Sequence, residues 1–429
     1  MSHVSRKMGF WSVFALVTGS QIGSGVFMLP ATLAPFGLYS LGGWAASGLG
    51  AIMLSLVFAQ LCSWVPKTGG PHAYVKEAFG PTASFFTGWT YWIISWVSTT
   101  VVVIGSIGYL IPLLGIQSLA IKLLLELALL FGITMLNFRG VTAAGHVEFF
   151  LTVLKVVPLV IVPLLALFYF NSDNFSLSET VSQLTTSQIL SRVTLLTLWG
   201  FIGLESATTP AGSVQNPSVT IPRAVVFGTI SVALLYLFNS IGIMGVIPGN
   251  ELMYSVAPYA EAVRVIFGGN WHLVISVIAS MICIGTLNAW MMTSGQIALG
   301  LAQDGLMPSI FARKNKYDAP FWSLLVSSMG IAPLLILTAN KSIATQVLTI
   351  IDFSVTAFLF IYVICCLSFF KILFQKPGSF LSKVPQFVYG TIALAFCCWV
   401  IYESSLSTIL ISTLFTLSGI PFYLRLRSK

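Results

Sequence analysis

Gly23, Ser24 and Gly25 follow one another in the middle of the first apolar segment of the chain. Glycine and serine at that depth predict a break in a membrane helix. A break exposes backbone N–H groups at the start of the second half-helix, where the helix dipole is positive. A helix end of this kind is a ready site for a carboxylate. The alternative is close helix packing through small residues, which is common in membranes.

A second interruption, WGFIGLE at 199–205, lies in the sixth apolar segment. A break there leaves carbonyl oxygens without helical partners, and these can accept hydrogen bonds from an ammonium group. Interrupted backbone at membrane depth is tolerated where it lines a cavity, and in secondary transporters such breaks hold the substrate. Two breaks five segments apart therefore predict a transporter.

Membrane-spanning helices must position these breaks. The chain has 429 residues, of which 57% are hydrophobic and 7% charged, whereas a soluble domain carries about 25% charge. A spanning helix needs about 20 apolar residues. We therefore predict an all-α integral membrane protein without a soluble domain. Its twelve predicted spans are 9–34, 40–64, 82–110, 118–137, 146–170, 188–213, 223–247, 271–303, 320–339, 344–371, 386–402 and 406–424.

Basic residues alternate from loop to loop along the predicted spans. The side that holds both chain ends carries Arg6, Lys7, Lys67, Lys76, Arg139, Arg223, Arg313, Lys314, Lys316, Lys376, Lys383, Arg425, Arg427 and Lys429. The opposite loops carry Asp173, Glu179, Glu251 and Glu261, with only Arg264 and Lys341 as basic residues. By the positive-inside rule both termini are cytoplasmic. The net charge of +8 thus sets orientation and does not indicate nucleic-acid binding.

The paired breaks also predict an internal repeat. Spans 1–5 and 6–10, approximately 9–170 and 188–371, would form two repeats, and spans 11 and 12, approximately 386–424, would be appended. An odd number of helices per repeat inserts the second copy upside down, which gives a pseudo-twofold axis in the membrane plane. Residues 1–429 would then form a single transmembrane transporter domain.

Four motifs stand in order along the chain: GSGVFMLP at 23–30, PKTGGPHAYVKEAFGP at 66–81, LWGFIGLESA at 198–207 with QNP at 215–217, and AQDGLMPSIFARKNK at 302–316. In these motifs the chain resembles the amino acid–polyamine–organocation superfamily of transporters over nearly its whole length. It is most similar to the basic amino acid/polyamine antiporters, such as the arginine/agmatine exchangers. The resemblance implies a LeuT-like fold of five plus five spans and alternating access, with a mid-membrane substrate site between spans 1, 3, 6, 8 and 10.

The resemblance also assigns the two ends of the substrate. The substrate carboxylate would bind the amides of Ser24 and Gly25, and the α-ammonium group would bind the carbonyls around Trp199 and Ile202 with that of Gln21. Trp199 would cover the substrate and offer a π-face to a cationic side chain. The alternative for Trp199 is simple packing between helices.

Four more residues match gate and pocket positions of the related antiporters. Trp290 matches a tryptophan gate, and Ser95, Thr99 and Ser354 match positions of the side-chain pocket. Thr99 replaces an asparagine and Ser95 a cysteine of the arginine/agmatine antiporter. Both changes keep the pocket polar but weaken the case for a guanidinium substrate. Each hydroxyl could equally satisfy a carbonyl of its own helix.

Glu205 is an ionisable residue near mid-membrane, and such residues are costly and usually functional. The related antiporters have a glutamate here that is linked to two tyrosines in an inner gate, and both tyrosines are present as Tyr91 and Tyr362. The resemblance gives Glu205 a role in gating, proton binding or contact with a cationic substrate. A purely structural, hydrogen-bonded carboxyl is the alternative.

Lys155 lies about 13 Å into span 5 at 1.5 Å per residue, too deep to reach the membrane surface easily. Some superfamily members have a lysine here, whose ammonium group stands where sodium-coupled relatives hold a cation. By this resemblance Lys155 would bridge spans 5, 1 and 8 without sodium. The second interpretation is a proton-coupling role.

Three titratable residues are left with open roles. Asp352 could attract a cationic substrate, pair with a basic residue or face an outer vestibule, and Glu126 is the other remaining deep acid. His72 stands where the arginine/agmatine antiporter has a tyrosine implicated in pH response. A histidine titrates in the physiological range, but we expect His72 to be a solvated loop residue.

We therefore predict an antiporter of the bacterial inner membrane that exchanges a cationic amino acid for its amine or another amino acid. The alternative, favoured by Lys155 and Thr99, is a proton-coupled or exchanging carrier of neutral amino acids. A channel would need repeated carbonyls or charged rings along a pore, and an enzyme would need a catalytic constellation. The sequence shows neither. We expect no cofactor and no metal, and the resemblance is compatible with a homodimer.

Overall fold

The computed structural model describes residues 7–255, 257–339, 343–377 and 379–427. Arg6, Lys341 and Lys429, which belong to the charge pattern, lie outside these ranges. Within them twelve helices are long and apolar enough to cross a membrane, which confirms the predicted number of spans. Spans 1–12 are Phe10–Phe36, Tyr39–Trp64, Pro81–Gly108, Leu119–Asn137, Val141–Tyr169, Thr186–Thr208, Pro217–Val246, Leu273–Gln303, Phe321–Thr338, Ile350–Gln375, Leu381–Glu403 and Leu406–Leu426.

Several spans differ from the prediction by up to six residues at one end. Span 7 begins at Pro217 instead of 223, because proline needs no N–H donor in the first turn of a helix. Arg223 therefore lies inside span 7 and not before it. Span 12 is made of two helices, Leu406–Leu417 and Ile420–Arg427.

The interior of the bundle is formed mainly by spans 1, 3 and 6. In their most apolar stretches 82%, 89% and 78% of residues are buried, against 22% in span 4 and 11% in span 12. Span 4 and span 12 therefore turn most of their apolar side chains to lipid. No water reaches the hydrocarbon to satisfy backbone groups, so a helix can be interrupted only where protein or a cavity surrounds it.

Spans 1 and 6 are both broken, as predicted. Span 1 consists of the half-helices Phe10–Gln21 and Ser24–Leu33. Span 6 begins as the α-helix Thr186–Leu198 and continues as the 3-10 turns Trp199–Phe201 and Ser206–Thr208. After Leu198, span 6 is therefore not α-helical and contains two short turns that are wound more tightly than an α-helix.

The packing of the spans has an exchange symmetry. Spans 2, 3 and 4 pack on spans 7, 8 and 9, respectively. Span 1 packs on span 7, and its counterpart span 6 packs on span 2. Likewise, span 5 packs on span 8, and its counterpart span 10 packs on span 3. A twofold relation between two five-span repeats would produce these pairs. The repeat and its boundaries stay a prediction.

Both described ends of the chain lie on one side of the bundle. The Met8 N–H donates to the Ser213 carbonyl at 2.9 Å, which holds the N-terminal segment against the loop after span 6. Near the other end, the Tyr423 and Thr82 hydroxyls are 2.6 Å apart at the start of span 3. We call this side the terminal side and the opposite one the distal side.

Candidate functional site

The break in span 1 is a two-residue interruption. Ile22 has ψ 94° and Gly23 has φ −141° and ψ −139°, so neither continues the helix that ends at Gln21. The new half-helix begins at Ser24, and its first N–H groups have no partner inside the helix. A Cβ atom on Gly25 would lie 3.4 Å from Cδ1 of Trp199. The free amide end of span 1 therefore lies against the break in span 6.

The break in span 6 depends on one glycine. Ile202 is extended, with ψ 128°, and Gly203 has φ +108°, a conformation that L-residues rarely adopt. The Ser20 hydroxyl of span 1 donates to the Gly203 carbonyl at 3.0 Å and lies 2.8 Å from the Ser206 hydroxyl. These bonds connect the two breaks directly.

A closed cavity lies between the breaks, with a volume of about 20 Å³. One water molecule needs roughly 10–15 Å³, so the cavity is too small for an amino acid in this conformation. Binding requires the surrounding spans to move apart. Spans 1, 3, 6 and 8 line it with Ser20, Gln21, Gly23, Gly25, Ser98, Val102, Trp199, Ile202, Thr286 and Trp290.

The two predicted tryptophans are both in the cavity wall. Trp199 is 9% exposed and Trp290 is 5% exposed. The Trp290 indole N–H donates to the Ser20 carbonyl at 3.1 Å, which fixes the ring against the span 1 break. Its ring centroid is 5.6 Å from that of Phe358 in span 10. An aromatic surface thus borders the polar end of the cavity.

The predicted side-chain pocket differs from the cavity that the structure shows. The Ser95 and Thr99 hydroxyls donate to carbonyls of their own helix, at 2.7 and 2.6 Å, and neither residue lines the cavity. Span 3 contributes Ser98 instead, about one turn away. Ser354 is fully buried, and its hydroxyl has no hydrogen-bond partner among the described residues. The substrate contacts assigned to Ser95, Thr99 and Ser354 stay predictions.

Gln21 is held by a residue that the sequence did not single out. The Tyr236 hydroxyl of span 7 donates to the Gln21 carbonyl at 2.6 Å, the oxygen predicted to receive the substrate ammonium group. The Gln21 side-chain amide donates to the Val17 carbonyl at 3.0 Å, and its Oε1 has no partner in the described chain. Tyr236 therefore orients this carbonyl, which retains a second lone pair for a ligand.

Glu205 and the two predicted gate tyrosines are buried together. The Tyr362 hydroxyl donates to Glu205 Oε2 at 2.6 Å. The Tyr91 hydroxyl and Glu205 Oε1 are buried, and neither makes a hydrogen bond of ordinary geometry within the described residues. Span 6 runs toward the terminal side after Trp199, so this cluster lies between the cavity and the terminal side. The gating role stays a prediction.

Lys155 connects three spans. Its ammonium group donates to the Gly19 carbonyl of span 1 at 2.9 Å, to the Thr286 hydroxyl of span 8 at 3.2 Å and to Glu148 of span 5 at 3.3 Å. The side chains of Lys155 and Glu148 are completely buried. Thr286 also donates to the Ile22 carbonyl at 2.6 Å and lines the cavity. The ion pair is therefore one side chain away from the span 1 break.

Sequence reasoning missed Glu148, although it counted the deep acids. Glu148 and Lys155 are seven residues apart, which is two helical turns and places them on one face of span 5. That spacing was the available signal. The other oxygen of Glu148 accepts from the Asn288 side chain at 3.1 Å, and Asn288 in turn accepts from Asn137 at 3.1 Å. No feature of the sequence near Glu148 predicts its contacts with Asn288 of span 8 and, through it, Asn137 of span 4.

The other two deep acids have basic neighbours. Asp352 lies 3.7 Å from Arg192 of span 6, and Glu126 lies 3.7 Å from Lys122 one turn away in span 4. Of the roles left open for Asp352, pairing with a basic residue is the one observed. It lies near the distal end of span 10, away from the cavity wall.

His72 is completely buried, so the expectation of a solvated residue was wrong. Its Nε2 is 3.2 Å from Asp304 Oδ2, and the Lys76 ammonium donates to Asp304 Oδ1 at 2.8 Å. The hydrogen bond with His72, together with Lys76, lowers the pKa of Asp304 to about 2. These residues connect the helix Pro71–Phe79 to the end of span 8 on the terminal side.

In the part of the chain that the structure describes, no group of three or more His, Cys, Asp or Glu side chains could hold a metal ion.

Twelve spans, two of them broken around a closed polar cavity, define a membrane transport protein. A family model described as amino acid permease matches residues 8–423. The chain belongs to this family, within the amino acid–polyamine–organocation superfamily.

Curated relatives resemble the chain over most of its length. The putrescine transporter PotE of Escherichia coli K12 is 27% identical over 423 residues, which are 98% of this chain and 96% of the relative. PotE of Haemophilus influenzae is 29% identical, over 83% of this chain and 82% of its own length. The cadaverine/lysine antiporter of Escherichia coli K12 is 29% identical, over 78% of this chain and 75% of its own length.

Proposed function

We propose that the protein is an antiporter that exchanges a cationic amino acid for its amine or for another amino acid by alternating access. It works in the bacterial inner membrane with both termini in the cytoplasm, as the distribution of basic loops indicates. Relatives named as a putrescine transporter and as a cadaverine/lysine antiporter support this substrate class. The substrates in these names are amines or a cationic amino acid.

The observation that carries the proposal is the juxtaposition of the two breaks around one cavity. Free amides at the start of the second half-helix of span 1 face the extended segment of span 6. Amides attract a carboxylate, and the carbonyls of Gln21 and Ile202 can accept hydrogen bonds from an ammonium group. An α-amino acid carries both groups on one carbon atom, so it satisfies both breaks at once.

The remaining part of the wall suits a cationic side chain. Trp199 and Trp290 line the cavity, and a cation over the face of an aromatic ring gains about 0.5–2 kcal/mol. Glu205 does not line the cavity, but it is the acidic residue closest in sequence to the span 6 break. Ser20, which lines the cavity, is bonded to Gly203 and Ser206 on either side of it.

Alternating access follows from the closure on the terminal side. A substrate released to that side must pass the layer of Glu205, Tyr91 and Tyr362, all completely buried. The closed cavity of about 20 Å³ then corresponds to a state between the two open ones. Movement of the broken segment of span 6 away from spans 3 and 10 would open the path.

A second candidate function is a proton-coupled or exchanging carrier of neutral amino acids. The buried pair of Lys155 and Glu148 favours it, because a proton can move within such a pair beside the substrate site. The same pair equally serves as a structural bridge between spans 5, 1 and 8. Transport measurements separate the two candidates.

The decisive experiment is counterflow in proteoliposomes loaded with one unlabelled compound at a time: lysine, ornithine, arginine, putrescine, agmatine or a neutral amino acid. We expect labelled cationic substrates to enter faster when a cationic partner is inside. Trp199→Ala and Glu205→Ala should abolish this stimulation. Trp11→Ala, which removes a tryptophan that is 65% exposed, and Glu251→Ala, in a distal loop, serve as matched controls.

One result would overturn the proposal in favour of the second candidate. It is uptake of neutral amino acids alone, driven by a pH gradient and abolished by Lys155→Ala. If both Trp199→Ala and Glu205→Ala retain cationic counterflow, the assignment of the substrate site is wrong, although the proposed exchange activity still stands.

A further inference from the structure

A second, larger cavity opens on the distal side of the molecule. Its volume is about 430 Å³, within the range of roughly 300–1,000 Å³ that small-molecule sites occupy. It lies between the start of span 6, the end of span 1 and the end of span 11. Its polar lining consists of Gln188, Ser191, Arg192, Glu403 and Ser404.

This cavity lies on the distal side of the central one along span 6. Arg192 and Trp199 are seven residues apart along span 6, which is two helical turns and about 10 Å. They therefore lie on one face of the span, with Arg192 on the distal side of Trp199. Leu195, one turn from Arg192, also lines the outer cavity, so a molecule moving inward along this face meets Arg192 before Trp199.

The outer cavity is lined by one cation, Arg192, and one carboxylate, Glu403, and a second carboxylate, Asp352 of span 10, pairs with Arg192. Arg192 and Asp352 are 3.7 Å apart, and their side chains are 48% and 28% exposed. A long, half-exposed ion pair contributes little stability and separates easily. Asp352 Oδ1 is buried without a hydrogen-bond partner, and Glu403 makes no ion pair with the described residues. All three side chains thus retain capacity for a ligand.

We propose that this cavity is an outer binding site for a cationic amino acid, occupied before the substrate reaches the span 1 break. The Arg192 guanidinium holds the α-carboxylate, and Asp352 and Glu403 hold the two cationic groups. The three side chains sum to one negative charge, which matches a ligand of net charge +1. A diamine would leave Arg192 opposite an ammonium group. The choice of ligand class rests on the proposed function.

The test compares the apparent KM for lysine at the two faces of the membrane. Intact cells report the distal face, and inside-out vesicles from the same cells report the terminal face. Arg192→Gln should raise the distal KM about tenfold, as expected for loss of one charge-assisted hydrogen bond. The KM at the terminal face and the maximal rate should stay unchanged. Arg264→Gln, which removes an exposed cation from another distal helix, should change neither KM.

The same measurement distinguishes a binding site from a mere latch. If the ion pair only holds the distal side closed, Arg192→Gln and Asp352→Asn should both lower the distal KM by favouring the open state, and the proposal fails. It also fails if the KM rises equally at both faces or not at all. Absence of any lysine exchange by the unsubstituted protein would overturn the proposed function itself, and with it the ligand class assigned to the outer site.

Discussion

Tyr362 donates a 2.6 Å hydrogen bond to Glu205 across 157 residues of sequence. Both side chains are completely buried. The bond connects span 10, a continuous helix, to the segment of span 6 that has no α-helix to stabilise it. A movement of span 6 that opens the terminal side must either break this bond or move span 10 as well. Removing the bond should therefore weaken the closed state selectively.

Tyr362→Phe should therefore destabilise the closed conformation. The substitution leaves Glu205 Oε2 buried without a donor, which costs about 1–3 kcal/mol. We expect a lower midpoint of thermal unfolding in detergent and faster labelling of a cysteine introduced at Ser206 by a thiol reagent. Tyr91→Phe is the matched control, because the Tyr91 hydroxyl makes no hydrogen bond of ordinary geometry with the described residues, so its loss should cost less than that of the Tyr362 hydroxyl. Equal effects of the two substitutions would contradict this account.

Lys155→Met should be among the most destabilising single substitutions in the protein. It leaves the Glu148 carboxylate buried without its charged partner, and breaking one side of a buried pair costs about 3–5 kcal/mol. Adding Glu148→Gln removes the second charge, and the Gln oxygen can still accept from Asn288. The double variant should therefore unfold at a higher temperature than Lys155→Met alone, and a double-mutant cycle should show strong coupling. Additive effects would show that the pair is not an interacting unit.

The features that sequence could predict are those encoded within a few residues. Glycines inside two apolar runs located both breaks, because glycine adopts backbone conformations that interrupt a helix. His72 was misjudged because nothing near it in sequence reveals Asp304, which lies after span 8 and covers it. The hydrogen bonds of the Tyr236 and Thr286 hydroxyls could not be predicted for the same reason, since their partners on span 1 are more than two hundred residues away.

Gly203→Ala should disable exchange by straining the span 6 break. Gly203 has φ +108°, and an added Cβ would lie 2.9 Å from Ser20 Oγ and 3.1 Å from the Trp290 ring. Backbone strain of this kind costs about 1–3 kcal/mol, so the break should shift and the cavity should deform. We expect loss of counterflow together with a lower unfolding midpoint. Gly132→Ala in span 4 is the control, because its Cβ would meet nothing within 4 Å. Loss of counterflow in this variant as well would contradict strain at the span 6 break as the cause.

Asp304→Asn should remove a stabilising contact whose strength depends on pH. The pKa of Asp304 is lowered from 3.8 to about 2 by His72 and Lys76, so the folded state favours the charged carboxylate. A lowered pKa contributes stability that is complete well above the unfolded value of 3.8 and is lost as pH falls toward 2. Because the Asp304 side chain is 26% exposed, solvent screening limits the loss in the variant to about 1 kcal/mol.

The measurement is the difference in unfolding midpoint between the unsubstituted protein and Asp304→Asn, recorded from about pH 6 down to about pH 3. The difference should be largest near neutrality and should narrow as the carboxyl becomes protonated. Asp318→Asn is a matched control, because Asp318 pairs with Lys314 at 3.0 Å but is 53% exposed, and exposed pairs contribute little. A gap for Asp304→Asn that widens on acidification would have the wrong sign, and the His72–Asp304–Lys76 contact would then not stabilise the terminal side through the charge of Asp304.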